Sequence, residues 1–348
     1  MPTSPLKTDT AKTALPPKGL ANQGLNATPF DEKLANAYRV RIPAYYQGLI
    51  THPDDPIAKQ CLPHPQELGP WLEDDLPPQQ GWDPLAEDSH SPVPFVVHRY
   101  PDRALLLVTD RCAMYCRFCM RKRKTQLKST EGSQGHPYPQ GFTDTALQAA
   151  VTYLAGQPQV REVILTGGDP LLLAPSKLER ILQALAALPH LRHIRVHTRL
   201  PVVDPQKVLP EHARVLAHHR LHQGPVAVVT HFNHPQELTP QAFEAVARLK
   251  DAGATLLNQA VLLRGVNDDA PTLVTLFRTL MRHQVQPYYL HQADLIPGTG
   301  HFAVPVPAAQ AIVSQLRHMA PDLAALQYVL DTPGGGGKVP LEAPLFSI

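Results

Sequence analysis

From residue 104 onward, short runs of β-branched and aliphatic residues alternate with stretches in which apolar side chains recur every three or four positions. A short apolar run fits a buried strand, and the three- and four-residue spacing fits an amphipathic helix. The pattern predicts strands over 104–108, 162–166, 193–197, 226–230, 255–262, 286–290 and 326–330. In the gaps between them it predicts helices over 143–155, 176–188, 205–218, 240–252, 271–283 and 308–319. Strands and helices alternating in this way form βα units around a parallel sheet. The expected class is therefore α/β, as a partial (β/α)6-type, TIM-like barrel.

The rest of the chain lacks this rhythm. Residues 1–30 read as a disordered tail, and 31–95 as an N-terminal helical subdomain with Pro-rich connectors such as LPHPQELGP and DDLPPQQGWDP. The barrel is expected over 96–332 and a separate C-terminal segment over 333–348. Each unusual polar motif lies at the end of a predicted strand or just after it, in the order CAMYCRFC, GGDP, HTR, HFNH, HQAD and DTPGGGGK; Asn258 and Gln259 lie within the fifth strand. The carboxyl ends of barrel strands converge on one mouth, so motifs spread over more than 200 residues are brought together there.

Composition narrows the class further. With 348 residues, 43% of them hydrophobic, the chain can bury a sizeable core. Its 32 basic and 30 acidic residues give a formal charge of +2, too small for a global field that would steer nucleic acid or an anionic membrane. No window approaches 18 consecutive apolar residues, and the first residues lack the apolar core of a secretory signal. The expectation is a soluble cytoplasmic enzyme. The start also has some features of a transit peptide, but its prolines fit a plain tail better.

Three of the four cysteines, Cys112, Cys116 and Cys119, fall within eight positions, which suits a metal or a cluster and not a disulfide framework. The spacing places three thiolates on one loop, enough for three corners of a cubic iron–sulfur cluster with the fourth iron open to a small ligand. Phe118 would shield it. A zinc site completed by a nearby histidine is the competing use of these thiols, although zinc sites more often show paired CxxC knuckles. CxxxCxxC after a first barrel strand resembles the radical S-adenosylmethionine (SAM) superfamily. That resemblance implies that Gly167, Gly168, Asp169 and Pro170 support the amino group of SAM; taken alone, the tetrapeptide reads as a turn.

The run Asp331-Thr-Pro-Gly-Gly-Gly-Gly-Lys338 is the second signal. Its glycines let bare amides approach an anion such as a phosphate, and a lysine beside them can bind an aldehyde. It is not a Walker loop, because Val339 stands where the magnesium-binding Ser or Thr belongs. A flexible glycine turn with a solvated lysine is the plain alternative. Upstream, Arg99 and Arg103 of HRYPDR could clamp a phosphate, and Tyr100 could stack on a pyridine ring. As simple loop arginines they need no ligand.

Taken together, HRYPDRALLLVTDRCAMYCRFCMRKR, LTGGDPLLL, THFNHP, NQAVLLRGVND and DTPGGGGKVP resemble the lysine 2,3-aminomutase family, in matching order over about residues 30–348. The resemblance implies an isomerase with a [4Fe–4S] cluster, SAM and pyridoxal 5′-phosphate, moving the α-amino group of lysine to the β-carbon. It makes Lys338 the catalytic residue that carries pyridoxal phosphate, with Arg99, Tyr100 and Arg103 as coenzyme contacts. Arg121 would pair with the substrate carboxylate, Asp294 and Asp331 with the substrate ε-ammonium, and His231 and Gln259 with SAM. A flavodoxin- or ferredoxin-type electron donor and a homo-oligomer are also implied.

Longer family members carry extra cysteines for zinc in a C-terminal extension. Here only Cys61 lies outside the motif, so zinc is not expected. Shorter relatives that supply β-lysine to an elongation factor lack the full glycine run. An aminomutase for arginine or ornithine fits the two aspartates equally well. A cluster-bearing nucleic-acid module using Arg121-Lys-Arg-Lys124 is the alternative from another class, and it leaves GGDP and Lys338 unexplained.

Overall fold

The computed structural model describes residues 38–68, 81–126, 141–222, 224–333 and 336–341. The tail expected over 1–30, parts of both Pro-rich connectors and the last residues of the C-terminal segment lie outside these. One sheet of nine strands runs in sequence order. The segment before it holds α1 (Ala44–Gln47) and α2 (Pro56–Cys61). The sheet begins with β1 (Val96–Tyr100) and β2 (Arg103–Thr109), and the short α3 (Lys122–Thr125) follows. The repeating units are α4 (Asp144–Ala155), β3 (Glu162–Gly167), α5 (Pro175–Ala186), β4 (His193–His197), α6 (Leu200–Val203) and α7 (Pro210–His222). They continue with β5 (Val226–Thr230), α8 (Pro240–Asp251), β6 (Thr255–Leu262), α9 (Ala270–Arg282), β7 (Gln286–Gln292), α10 (Val306–Met319), β8 (Gln327–Asp331) and β9 (Lys338–Pro340).

Strands β2 to β8 are parallel, as a right-handed series of βα units requires, while β1 and β9 pair antiparallel at the two edges. The result is an open, partial barrel. The two edge strands are absent from the periodicity prediction, and the expected helix over 205–218 also changes. A 3-10 turn covers Pro205–Lys207, and α7 starts afresh at Pro210, because a proline disfavours helical geometry in the residue before it.

Many prolines open elements. Pro56, Pro175 and Pro240 begin α2, α5 and α8, where a missing N–H costs nothing. The side chains of Asp55, Thr143, Thr239 and Asp269 accept from the first turns of α2, α4, α8 and α9. Outward-facing strand residues such as Val163, Val196, Val228 and Leu290 pack with the helices in one core, which Tyr46, Ile57, Ala58 and Cys61 of the N-terminal segment join. Burying each such side chain contributes about 1.5–3 kcal/mol. No helix among the described residues is long and apolar enough to cross a membrane.

Candidate active site

The cysteine loop leaves β2 and is fastened by the N-terminal segment and by Gln126 at the end of α3. Arg117 N–H donates to the Gln60 carbonyl (3.0 Å), Tyr115 N–H to that of Arg41 (3.2 Å), and the Gln126 side chain to the Cys116 carbonyl (2.9 Å). Arg117 itself is buried, with two bonds to buried Glu67 (2.9 and 2.5 Å), which also receives Lys122 (2.8 Å). Burial and the neighbouring sulfurs push the thiols of Cys112 and Cys119 up, Cys119 to about 11. Among the described residues no three His, Cys, Asp or Glu side chains converge closely enough for a single metal ion. A cube with one sulfur on each of three irons needs wider spacing than that, and its positive charge would release the protons that burial now retains. Phe118 packs with Leu263, Val266, Ala293 and Phe302 as an apolar cover beside the loop. Cys61 is buried in α2 and donates to the Ile57 carbonyl, 3.2 Å away.

GGDP ties β3 to this loop. A Cβ on Gly168 would stand 2.2 Å from the Arg111 carbonyl oxygen, and one on Gly167 would stand 2.4 Å from that of Thr109. Gly167 also has φ +109°. One oxygen of Asp169 accepts from Thr198 Oγ1 (2.7 Å) and Leu171 N–H (3.0 Å), and the other from Arg199 N–H (2.8 Å). Pro170 opens a 3-10 turn. The Asp169 side chain thus ties the end of β3 to the segment that follows β4.

The two ends of DTPGGGGK are paired with each other. Asp331 and Lys338 are register partners across β8 and β9, with Thr332 N–H on the Gly337 carbonyl (3.1 Å) and Gly337 at φ +88°. Lys338 Nζ donates to Asp331 Oδ2 and lies 5.4 Å from the centre of the Tyr289 ring. Asp294 is close enough to feel Asp331, Lys338, Arg121 and Glu87; burial first, then the Asp331 charge, raise its carboxyl to about 7.

Arg121 reaches the same space, but it is already partnered. Its Nε and Nη2 donate to Glu87 Oε1 (3.0 and 2.8 Å), and its Nη1 to Thr166 Oγ1 (3.3 Å). Glu87 is buried and also receives Lys124 (2.9 Å). Burial alone would raise its carboxyl, yet Arg121 and Lys124 hold it down at about 2. Lys122 is buried on Glu67, and Arg123 pairs with Asp83 and Asp88. The basic run from Arg121 to Lys124 is therefore internal wiring, which removes the surface patch that a nucleic-acid reading needs.

Arg99 and Tyr100 lie on β1 and bridge the open edges of the barrel. Arg99 Nη2 donates to the Thr332 carbonyl (2.6 Å), and Tyr100 Oη to Asp331 Oδ1 (3.4 Å). Arg103, at the start of β2, donates twice to Asp102 (3.0 Å each) and stands 3.7 Å from Glu162. His231 is bonded to Asn233 (3.1 Å) and tilted against Phe118 at 5.6 Å between centroids. Gln259 alternates with buried Asn258 and Ala260 and shares a strand face with Val261.

Several site residues escaped the sequence reading. His291, within HQAD, lies 3.7 Å from Asp331 Oδ2; burial and the Lys338 cation lower it to about 3, so it is neutral. His197, within HTR, is lowered well below its ordinary value by burial and the cations of Arg195, Arg121 and Lys338. Both motifs stood out by their position at strand ends, although only Asp294 was taken from them. Arg199 belongs to HTR as well but was not singled out from it, and Glu87 lies in no such motif. Two atoms near the site, Arg99 Nε and His197 Nε2, are buried without a hydrogen-bond partner. Buried polar atoms need partners, so a polar coenzyme beside Lys338 fits these residues.

A family model, the radical SAM superfamily, matches residues 106–276, a stretch that holds the cysteine loop and GGDP. The chain is 45% identical over 305 residues to L-lysine 2,3-aminomutase of Fusobacterium nucleatum subsp. nucleatum, covering 87% of this chain and 67% of that protein. It is 41% identical over 325 residues to the enzyme of the same name from Acetoanaerobium sticklandii, covering 90% and 72%. The chain belongs to the lysine 2,3-aminomutase family. This aminomutase family also contains the glutamate 2,3-aminomutase of Clostridioides difficile, 36% identical over 312 residues, with 89% of this chain and 69% of that protein covered. Membership makes the chain a radical SAM isomerase, and the superfamily brings a [4Fe–4S] cluster and SAM. A small-molecule substrate fits an enzyme of this kind.

Proposed function

We propose that this chain is an L-lysine 2,3-aminomutase that converts lysine to β-lysine with a [4Fe–4S] cluster, SAM and pyridoxal phosphate. The observation that carries the reading is the convergence of Lys338, Asp331 and Asp294: an amine suited to a coenzyme aldehyde lies on one carboxylate and within the field of a second. Two adjacent buried carboxyls, one of which ionises when a cation arrives, favour a cationic substrate side chain and disfavour glutamate. The relatives' names agree with that choice, and a family that also contains a glutamate enzyme makes the charge argument necessary.

Cys112, Cys116 and Cys119 would hold the cluster, with Gly167, Gly168, Asp169, Pro170, His231 and Gln259 around SAM. Lys338 would hold pyridoxal phosphate, assisted by Arg99, Tyr100 and Arg103. Together these groups supply a hydrogen-abstracting radical and a conjugated ring across which a nitrogen can migrate between adjacent carbons.

The remaining roles fall to the chain's own side chains. Arg121, clamped by Glu87, presents Nη1 to the substrate carboxylate. Asp331 orients Lys338 in the free protein and, together with Asp294, would accept the substrate ε-ammonium. Asp294 gives up its proton as the cation arrives, because an adjacent positive charge favours the carboxylate. Phe118 and Phe302 keep water from the reactive end. A flavodoxin- or ferredoxin-type protein would supply the electron, and a homo-oligomer in the cytoplasm is the expected setting.

The test is incubation of reconstituted, reduced protein with SAM, pyridoxal phosphate and a panel of lysine, arginine, ornithine and glutamate, with the isomeric β-amino acids separated from their α-amino acids by chromatography. Lysine should be turned over in preference to the others. Preferred turnover of glutamate would overturn the charge argument, and preferred turnover of arginine or ornithine would reassign the substrate.

A further inference from the structure

We infer that Arg199, a buried arginine two residues past β4, tunes the reduction potential of the cluster as a positioning residue acting through Cys116. The inference rests on the cluster reading above. Arg199 Nη1 donates to Cys116 Sγ at 2.8 Å, a sulfur that stands for the cluster-bound thiolate. The rest of the guanidinium is held by four partners. Nη2 donates to Gln60 Oε1 (2.5 Å), Glu237 Oε1 (2.7 Å) and Tyr46 Oη (3.4 Å), and Nε to the His231 carbonyl (3.2 Å). The main-chain N–H rests on Asp169, and the group lies 5.1 Å from the centre of the Phe118 ring.

This arrangement goes beyond a staple. The single carboxylate on the guanidinium sits at Nη2, and Glu237 is itself shared with Tyr46 Oη (2.6 Å), Asn233 N–H (2.6 Å) and His234 N–H (3.1 Å). Nη1 is left aimed at sulfur. Reduction adds one electron to the cluster, and a cation donating a hydrogen bond to a ligand sulfur stabilises the more negative state, in surroundings where charge is poorly screened. Gln60 and Tyr46 belong to the N-terminal segment, so that segment helps to set the potential as well as to fasten the loop.

Removing Arg199 alone would leave Glu237 buried and unpaired, so the comparison uses Glu237→Gln as the parent. The midpoint of the reconstituted cluster is measured anaerobically by redox titration followed by electron paramagnetic resonance, without substrate. Adding Arg199→Gln to Glu237→Gln should shift the oxidised-to-reduced ratio about tenfold toward oxidised, or 59 mV lower for one electron. Arg199→Lys in the native background should shift it in the same direction by less, and it decides the matter if the double variant holds no cluster. Unchanged midpoints would overturn the proposal. Absence of the cluster signal from the unmutated protein would overturn the cluster reading and this inference with it, and the spectra separate the two failures.

Discussion

Asp331 and Lys338 face each other across the antiparallel pair β8–β9, with the lysine ammonium resting on the aspartate carboxylate. The pairing explains why a proposed substrate ligand and a proposed coenzyme lysine stand seven residues apart: it brings both ends of the glycine run to one point. In the free protein Lys338 occupies Asp331 as the substrate ε-ammonium would. Asp331→Asn should therefore weaken lysine binding and also leave Lys338 less ordered, raising KM for lysine at least tenfold. Steady-state kinetics of the variant against the parent check this.

Asp294 gives the reaction a pH signature. Its carboxyl is raised to about 7 by burial and by Asp331, and a bound cation favours its ionised form. Below that pH, lysine must expel a proton to bind, so KM should rise about tenfold per pH unit, since one unit of pKa is about 1.4 kcal/mol. Asp294→Asn should abolish that slope. The stability sign runs the other way. A carboxyl raised on folding contributes stability fully below its unfolded value and loses it as pH rises through 7. Asp294→Asn should thus melt higher than the parent at pH 8 without substrate.

Glu87 holds Arg121 for its task. Its folded value, about 2, lies below the ordinary one, so its contribution is present above the unfolded value near 4.5 and is lost as pH falls toward 2. Glu87→Ala leaves the buried Arg121 guanidinium without its carboxylate and should cost about 3–5 kcal/mol in chemical denaturation. Glu87→Gln, which keeps the shape, should cost less and show mainly as a raised KM for lysine.

Gly168 tests whether GGDP positions the cluster loop. An added Cβ meets the Arg111 carbonyl oxygen at 2.2 Å and its carbonyl carbon and nitrogen at 2.6 Å, all backbone atoms with little room to yield. Gly168→Ala should destabilise the protein by about 1–3 kcal/mol, the usual cost of overpacking, and lower its iron and sulfide content after reconstitution. Full iron content would show that the loop adapts.

The legibility of the sequence follows the range of the forces involved. Strands over His193–His197, Val226–Thr230 and Thr255–Leu262 fall where periodicity put them, because burial is written residue by residue. The edge strands β1 and β9 were missed: each is defined by its partner, and β9 is three residues ending in Pro340, which an edge position tolerates. The grouping of Cys112, Cys116 and Cys119 on one loop after β2 was equally readable, because it is local in the sequence. Long-range partners were not, since nothing local in a Pro-rich acidic segment marks Glu87 for Arg121, and nothing in HTR marks Arg199 for Cys116.

The most direct test of the central claim is borohydride reduction of the anaerobic protein loaded with pyridoxal phosphate, followed by peptide mapping, with and without excess lysine. The account predicts a coenzyme-sized mass addition at Lys338 that excess lysine suppresses. Labelling of a different residue, or labelling of Lys338 that lysine leaves unchanged, would contradict it.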